Sequence, residues 1–330
     1  MTQSFNALVV NKKEEDFSLE INKLAIEDLS EGDVVIRVYY SSVNYKDSLA
    51  TIPNGNIVKS YPFVPGIDLA GEVVSSSNTR YKAGDKVIAT SYEIGVSHFG
   101  GYSQYARIPS EWIVPLPDGL SLKEAMIIGT AGFTAALSIK RLQDNNASPE
   151  KGKVLVTGAT GGVGSFAVAI LAKLGYEVEA STGKDTANDY LHNLGAESII
   201  PREDVYTGKI KPLAKQKWAA AVDPVGGEVL ASILSHIEYG GSVAVSGLTA
   251  GNKVPTNVFP FILRGVNLLG IDSVYCPMET RISIWKHLAT DYKPADLEAL
   301  VQQEITLDQL PSVLPTLLNG EAKGRTIVKL

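Results

Sequence analysis

The chain has 330 residues, a length that usually forms two domains. Its net charge of −6 includes no block of lysines or arginines, which disfavours large-scale binding to nucleic acid or to an anionic membrane. The only cysteine, Cys276, excludes an internal disulfide and any zinc site that needs two thiolates.

The N-terminal segment places acidic residues soon after its first lysines and has no long apolar stretch, so it lacks the pattern of a signal peptide. The longest charge-free runs are too short to span a bilayer. We therefore expect a cytoplasmic protein that binds neither membrane nor nucleic acid.

Residues 1 to about 120 have the pattern of a β-rich domain. Short alternating segments, such as "DVVIRVYYSSV" at 33–43, are separated by Gly, Ser and Asn. Ser121 and Glu124 then have the spacing of a capping box, which predicts the start of a helix. We place the first domain boundary there, after residue 121.

From about 125 to 275, strand and helix patterns alternate. The candidate strands are Val154–Val156, 177–181, 198–200, 219–222 and 242–246, and the segments between them are long enough for crossover helices. This alternation predicts an α/β fold with a doubly wound parallel sheet. One more strand is predicted over 266–274, followed by helices and strands that complete the chain.

The segment "VLVTGATGGVGSFAVAILAKLG" has the features of a dinucleotide-binding loop. Ala159, Gly161 and Gly164 have A-x-G-x-x-G spacing, and Gly158 and Gly162 add two more small positions. A strand pattern precedes the loop and a helix pattern follows it, which is the context that a pyrophosphate site requires. The alternative is a tight turn whose glycines serve packing alone.

The end of the second strand indicates which dinucleotide is bound. Residues 181–184 are Ser181, Thr182, Gly183 and Lys184, where an NAD site usually carries a carboxylate. Lys184, together with Arg202 after the third strand, could bind a 2′-phosphate. Glu179 is the main objection, although strand alternation would point it away from the strand end. We favour NADPH, and the alternative is that both cations are solvated surface charges.

The β-rich first part followed by alternating strands and helices resembles the medium-chain dehydrogenase/reductase superfamily. Many members hold catalytic zinc through a Cys, a Gly-His-Glu and a later Cys or Asp. The matching places here hold Asn44-Tyr45-Lys46-Asp47 and "VPGIDLAG" (64–71), without cysteine or histidine. We therefore expect no metal. A substrate activated without a Lewis acid would be a quinone or a carbonyl-conjugated alkene, which needs only hydrogen bonds to the developing oxyanion.

Six segments carry a closer resemblance that runs over nearly the whole chain. They are "SSVNYKDSLA", "YPFVPGIDLAGEV", "GGYSQYARI", "MIIGTAGFTAAL", "VTGATGGVG" and "PFILRGVNLLGIDSV". Together they resemble the zinc-free quinone oxidoreductase branch and, more narrowly, the YhdH/YhfP subgroup, which includes acrylyl-CoA reductases.

The resemblance implies a GroES-like catalytic domain built from residues 1–121 and 290–330, with a Rossmann domain at 122–289 between them. It also implies NADPH held in the cleft and a homodimer formed through the edge strand at 266–274. For that strand, burial inside one subunit is an equally good explanation of its apolar residues.

The resemblance also implies a set of site residues. Tyr45 would lie near the nicotinamide, with Asn44 beside it, and these two are the candidate catalytic residues. The other cofactor-binding candidates, grouped by the part of the cofactor that they would approach, are Thr160, Gly161, Gly162 and Val163 at the pyrophosphate, Ser181, Thr182, Gly183, Lys184 and Arg202 at the adenosine end, Leu248, Ile262 and Ser273 at the nicotinamide end, and Thr130 and Thr134 at the domain junction.

Each of these assignments has a simpler competitor. Asn44 and Tyr45 could merely end a strand, since Asn favours turns. Leu248 and Ile262 are ordinary core residue types, and Asp68 could balance a charge.

We expect direct hydride transfer from the reduced nicotinamide to an electrophilic carbon, with Tyr45 as the best candidate to hydrogen-bond the substrate oxygen or to orient the ring. Three hypotheses stand at this point: a quinone reductase; a short-chain 2-enoyl-CoA reductase with Lys46, Lys59 or Arg264 near the CoA phosphates; and a dinucleotide-binding structural or RNA-binding protein, as zeta-crystallin relatives illustrate. The acidic net charge counts against the third.

Overall fold

The computed structural model describes residues 4–13, 16–320 and 322–330, which form two compact units. The first unit holds the described residues up to Thr130, Val274–Ala289 and the described residues from Leu300 onward. The second unit holds Ala131–Ser273 and Thr290–Ala299. The predicted limits at 121 and 290 stay a prediction about where independently folding domains begin.

The elements are numbered along the chain. The strands are β1 Phe5–Lys13, β2 Asp16–Leu24, β3 Val34–Ser42, β4 Asp68–Ser76, β5 Lys86–Thr90, β6 Tyr105–Ile108, β7 Ile113–Pro115, β8 Val154–Val156, β9 Val178–Thr182, β10 Ser198–Pro201, β11 Trp218–Asp223, β12 Ile237–Val245, β13 Asn267–Gly270, β14 Val301–Thr306 and β15 Arg325–Lys329. The helices are α1 Tyr45–Ala50, α2 Leu122–Asp144, α3 Gly162–Lys173, α4 Asn188–Asn193, α5 Arg202–Val205, α6 Gly227–His236, α7 Phe259–Arg264, α8 Met278–Ala289 and α9 Leu310–Leu318.

The first unit is built around a seven-stranded sheet. Its strand order is β14-β15-β3-β4-β5-β7, and β6 also pairs with β3. Strand β3 alternates buried and partly exposed residues over most of its length, so Val34, Ile36 and Val38 face a core that also contains Leu69 and Val87. The last strand of the chain, β15, pairs directly with β3. The C-terminus therefore contributes to the part of the sheet next to α1.

The second unit is a six-stranded parallel sheet in the order β10-β9-β8-β11-β12-β13. This is the strand order of a dinucleotide-binding doubly wound fold, in which ligands bind outside the carboxyl ends of the strands where the order reverses. Strand β8 lies at that reversal, and β8 leads into the glycine loop. The predicted α/β fold with a doubly wound parallel sheet is confirmed.

Two predicted strands differ most in length from the observed ones. The strand predicted over 242–246 begins earlier, at Ile237, and continues through Gly240, which has a φ of 73° and lies where the pairing with β11 is irregular. The strand predicted over 266–274 is shorter and ends at Gly270. It lies at the end of the described six-stranded sheet, next to β12.

Helix α2 is interrupted at Gly129, which has a φ of 49° and a ψ of −160°. By length and composition, α2 is the one helix in the described part of the chain that could span a membrane, and 78% of its most apolar window is buried inside the protein. A buried core helix has the same composition as a membrane span, so the burial accounts for its apolar residues.

Candidate functional site

The glycine loop joins β8 to α3, and its small residues let the start of α3 pack closely against the loop backbone. Gly158 has a φ of 52°, which favours glycine. A Cβ at Gly164 would lie 2.3 Å from the carbonyl oxygen of Gly158, so a larger residue would push the helix away from the strand. The third glycine of the motif therefore allows α3 to start against β8, as the sequence pattern predicts.

The start of α3 is open to an anion. The first turn of any helix presents N–H groups that have no intrahelical acceptor, and no described side chain caps this one. A Cβ at Gly161 would meet only the Gly158 carbonyl, at 3.4 Å, so the space beside Gly161 is largely clear. The predicted pyrophosphate residues all lie here: Thr160, Gly161, Gly162 and Val163.

A buried carboxylate, that of Asp223, holds the start of the glycine loop by hydrogen bonds. Asp223, at the end of β11, accepts a hydrogen bond from the Thr157 hydroxyl at 2.5 Å and from the backbone N–H of Gly226 at 2.9 Å. Burial raises the pKa of Asp223. Asp223 thus ties the turn after β8 to the turn after β11, at the edge of the sheet where a dinucleotide would bind.

The end of β9 places a cation where the sequence predicts it. Pro201 of β10 pairs with Thr182 of β9, which brings Arg202 beside Gly183. A Cβ on Gly183 would lie 1.9 Å from the Arg202 Nη2 atom, so the guanidinium lies directly over this glycine. The Arg202 side chain is 69% exposed, and the hydroxyl of Thr182 accepts the N–H of Lys184 at 3.1 Å.

Glu179 does not lie at that strand end. Its carboxylate accepts hydrogen bonds from Trp218 Nε1 at 2.8 Å and from the Ser198 hydroxyl at 3.1 Å, and it lies 3.5 Å from Lys153 Nζ. These three partners stand at the beginnings of their strands, opposite the glycine loop. Glu179 is therefore engaged at the other edge of the sheet.

The remaining candidates of the second unit are less closely grouped. Leu248 and Ile262 are 66% and 69% exposed, so the alternative that they are ordinary core residues is wrong. Ser273 accepts a hydrogen bond from the Thr134 hydroxyl at 2.8 Å. That these four residues approach a cofactor stays a prediction.

In the first unit, Asn44 and Tyr45 form the start of α1. Asn44 is 9% exposed and stands at the N-cap, where its backbone N–H donates to Asp47 Oδ2 at 2.8 Å. Tyr45 is 47% exposed, and its hydroxyl has no hydrogen-bond partner among the described residues. Of the two predicted catalytic side chains, only that of Tyr45 is open to a ligand in this arrangement.

Asp68 lies at the centre of a buried polar network and is fully buried. Its carboxylate accepts hydrogen bonds from the Ser42 hydroxyl at 2.6 Å and from Asn44 Nδ2 at 2.7 Å. The Thr130 N–H and hydroxyl also donate to it, at 2.9 and 2.5 Å, and Arg325 Nη2 lies 3.9 Å away. Asp68 therefore balances a charge and fixes the ends of several segments.

A second carboxylate belongs to the same network. Asp47 is buried and also accepts the N–H of Ile67 at 2.8 Å. Burial, together with the nearby charge of Asp68, raises the pKa of Asp47 to about 7. The Arg325 guanidinium lies 3.9 Å from Asp68 Oδ2, and the negative charge of Asp68 disfavours ionisation of the neighbouring Asp47.

The interruption of α2 serves this network. A Cβ at Gly129 would lie 2.6 Å from Asp68 Oδ2 and 2.7 Å from Ser42 Oγ. The unusual backbone of Gly129 turns the next N–H, that of Thr130, toward Asp68. The predicted cofactor residue Thr130 is thus engaged with Asp68, and its approach to a cofactor stays a prediction.

Family models match both parts of the chain. The alcohol dehydrogenase GroES-like domain matches residues 30–118, and the zinc-binding dehydrogenase family matches residues 162–289. The chain is 58% identical over 330 residues, 100% of both chains, to the Bacillus subtilis protein named "Putative quinone oxidoreductase YhfP". It is 49% identical over 326 residues to the acrylyl-CoA reductase AcuI of Ruegeria pomeroyi, covering 98% of each chain.

Solved structures agree with these matches. The crystal structure of Bacillus subtilis yhfP with NAD bound superposes with a TM-score of 0.98 at 57% identity, over 100% of both chains. The yhdH oxidoreductase of Salmonella enterica, solved in complex with NADP, superposes with a TM-score of 0.96 at 43% identity, over 98% of this chain and 99% of that one. The chain belongs to the zinc-free quinone oxidoreductase branch of the medium-chain dehydrogenase/reductase superfamily.

Membership of this branch confirms the predicted GroES-like and Rossmann-type domains, and the chain is an oxidoreductase. At the places where the wider superfamily holds zinc, the reductase carries Asn44 and the network around Asp68. In the described ranges, no three His, Cys, Asp or Glu side chains are grouped so that they could hold a metal ion.

Sequence reasoning missed Arg325 and misjudged Arg264 of this reductase. Arg264, expected near CoA phosphates, instead donates to the carbonyls of Ser235 and Ile237 at 2.9 and 3.4 Å and to that of Ala214 at 2.5 Å. The signal for Arg325 was a lone arginine at the head of the apolar strand "RTIVKL", which implies a buried anionic partner.

Proposed function

We propose that this reductase transfers hydride from NADPH, without zinc, to a quinone or to an alkene conjugated with a carbonyl group. The observation that carries the proposal is the open glycine loop combined with the guanidinium of Arg202 beside the strand end at Thr182. Both features belong to one sheet edge of the second unit.

The strand end supports NADPH over NADH. The Arg202 guanidinium can bind a phosphate with two parallel hydrogen bonds, and the Lys184 ammonium adds a second positive charge. The carboxylate that could favour NADH, that of Glu179, is engaged at the opposite edge. The NADP complex of the yhdH relative supports this choice, whereas the NAD complex of the yhfP relative favours NADH as the second candidate.

The first unit supplies the group that we assign to the substrate. Reduced nicotinamide provides the hydride when it is bound. The exposed Tyr45 hydroxyl is available to donate a hydrogen bond to a carbonyl oxygen, where negative charge develops as hydride arrives. Asn44, bound to Asp47 and Asp68, holds the start of the helix that carries Tyr45.

After the hydride has been transferred, the reduced acceptor still needs a proton, and we propose that this proton comes from water. Asp47 and Asp68 are buried and saturated with donors, so neither is placed to meet a substrate.

An acrylyl-CoA reductase is the second candidate function. AcuI, a relative of nearly full length, carries that name. Hydrogen bonds from Ser97 and Tyr275 lower the pKa of Glu93, and the nearby charges of Lys46 and Lys59 lower it further, which supports placing the two ammonium groups in one region of the first unit. Neither lysine has a carboxylate within ion-pairing distance among the described residues, so both are available to CoA phosphates.

The decisive test follows NADPH oxidation in parallel with 1,4-benzoquinone, with acrylyl-CoA and without acceptor. Turnover with benzoquinone alone supports a quinone reductase, and a higher kcat/KM with acrylyl-CoA supports the second candidate. In the latter case Lys46→Ala and Lys59→Ala should raise KM for acrylyl-CoA, while Lys82→Ala, an exposed lysine of the same unit, should not. Tight NADPH binding with neither acceptor reduced would favour a structural or RNA-binding protein instead.

We further propose a homodimer, formed by β13 pairing with a second copy of the chain. Leu268 of β13 is 40% exposed on the outer strand of the described sheet. Helix α7 adds Phe259 and Leu263, which are 44% and 56% exposed. An unpaired strand edge next to apolar side chains favours pairing with a partner strand. Sedimentation at several concentrations tests this, and a monomer at every concentration would contradict it.

The predicted location in the cytoplasm is part of the same proposal. The lone Cys276 and the bacterial origin of the relatives support it.

A further inference from the structure

Arg325 connects three segments that are distant in the sequence. It is 3% exposed at the head of β15. Its Nε donates to the carbonyl of Ile127 at 3.0 Å, and its Nη1 donates to the carbonyl of Val43 at 3.1 Å. Its Nη2 donates to the Ser42 hydroxyl at 2.8 Å. The guanidinium thus fixes the end of β3 and the residues that precede Gly129.

The same guanidinium fixes the amide of Asn44. Arg325 Nη1 donates to Asn44 Oδ1 at 3.2 Å, while Asn44 Nδ2 donates to Asp68 at 2.7 Å and to Asp47 at 3.3 Å. A cation on the oxygen side and carboxylates on the nitrogen side allow only one orientation of this amide. Asn44 is therefore locked from both ends.

The orientation of Asn44 sets the position of Tyr45. The Asn44 carbonyl accepts the N–H groups of Asp47 and Ser48 at 3.0 and 3.3 Å, which starts α1. Tyr45 is the first residue of that helix, and its exposed hydroxyl has no partner among the described residues. The side chain of Tyr45 is thus placed through its backbone, and the backbone is placed through Asn44.

We propose that Arg325 is a positioning residue for Tyr45, acting through the amide of Asn44. This inference rests on the proposed role of Tyr45 toward the substrate. A lysine cannot replace the arginine, because one ammonium on a flexible chain cannot reach the acceptors that the planar guanidinium serves together. Arg325→Lys keeps the positive charge beside Asp68 and loses the set of N–H donors that the planar guanidinium provides.

A double-mutant cycle between Arg325→Lys and Tyr45→Phe tests the proposal, with kcat measured for the acceptor that wild type reduces best. Each single variant should lower kcat by about tenfold or more, and the double variant should be no slower than Tyr45→Phe within about twofold. The Kd for NADPH should stay within about twofold in all three, because the residues assigned to the pyrophosphate and to the adenosine end of the cofactor lie in the second unit. If the two kcat losses multiply in the double variant, Arg325 and Tyr45 act independently. That result would overturn the positioning role of Arg325 and leave the proposed function standing.

A matched control separates positioning from general damage. Arg107, in β6 of the same unit, is partly buried and donates to the carbonyl of Ile26 at 2.9 Å. Arg107→Lys should show no coupling to Tyr45→Phe. If Arg325→Lys does not fold, Asn44→Ala replaces it, since that change removes the amide link and leaves the bonds of Arg325 to Ile127, Val43 and Ser42.

A spectroscopic readout makes the test independent of turnover. In protein labelled with fluorotyrosine, the ¹⁹F signal of Tyr45 is assigned by its loss in Tyr45→Phe. Arg325→Lys should shift or broaden that signal, and Arg107→Lys should not. An unchanged Tyr45 signal in Arg325→Lys overturns the proposal even if no acceptor is found. A wild-type kcat in Tyr45→Phe would remove Tyr45 from the mechanism. It would overturn both the proposed role of Tyr45 toward the substrate and the positioning role of Arg325.

Discussion

The guanidinium of Arg202 lies so close to Gly183 that a single methyl group should change the cofactor preference. A Cβ at Gly183 would stand 1.9 Å from Arg202 Nη2 and 2.3 Å from Cζ. The clashing atoms are the end of a flexible, 69% exposed side chain, so the arginine can swing away at little cost. Gly183→Ala should therefore displace the cation from the strand end without unfolding the protein.

The size of the effect follows from the interaction that is lost. A hydrogen bond to a charged group contributes about 1.5–3 kcal/mol, and exposure to solvent places Arg202 at the lower end of that range. Arg202→Ala should therefore raise the Kd for NADPH about tenfold. Gly183→Ala should raise it less, by about fivefold, because the displaced side chain can still reach a phosphate from a poorer position.

The assay compares NADPH and NADH binding by titration of each variant at fixed ionic strength. The Kd for NADH should stay within about twofold in both variants, since NADH lacks the 2′-phosphate. Lys209→Ala removes an exposed positive charge of the same unit and should change neither Kd. Equal losses for NADPH and NADH would refute the assignment of this strand end to the 2′-phosphate, as would unchanged NADPH binding in Arg202→Ala.

Three further changes test other parts of the structure. Gly129→Ala should lower the free energy of unfolding by about 3 kcal/mol, because its Cβ would collide with Asp68 and Ser42 at a φ that favours glycine, and an unchanged urea midpoint would contradict this. The pKa of Asp47 is raised from its ordinary value of 3.8 to about 7 in the folded state. Between these two pH values, the folded state keeps a proton that the unfolded state has released. The free energy of unfolding should thus fall as the pH rises from 3.8 to about 7, and Asp47→Asn should remove up to about 1.4 kcal/mol per pH unit of that slope; the same slope in both proteins would argue against it. Leu268→Lys should shift the protein toward monomer in sedimentation, and an unchanged molar mass would contradict the proposed edge pairing.

The second unit was largely predictable because its signals are local. The strand Val154–Val156, the glycines after it and the polar end of the next strand lie within about thirty residues, and the parallel-sheet rule then fixes their common edge. The place of Arg202 followed from the same rule, since it stands directly after the third strand. The length of β12 was less predictable because Gly240 continues a strand where glycine usually ends one.

The first unit was less predictable because its organisation depends on contacts between residues that are far apart in the sequence. The bond between Arg325 and Asn44 joins residues 281 positions apart, and no local pattern predicts such a pairing. Gly129 reads as an ordinary small residue in an apolar helix, although only the surrounding side chains of Ser42 and Asp68 explain it. The absence of cysteine and histidine at 44–47 was visible in the sequence, but the hydrogen-bond network around Asp68 was not.

In the proposed reaction, hydride passes from the nicotinamide to an electrophilic carbon. Stereospecifically deuterated NADPH, labelled at C4 on one face or the other, tests it most directly with the acceptor that supports turnover. We expect deuterium to leave C4 from one face only, with a primary isotope effect on kcat for that isomer. If the acceptor is an enoyl thioester, the deuterium should appear on its β carbon. Oxidised cofactor that has lost deuterium from both faces alike, or a reduced enoyl thioester without label, would contradict it.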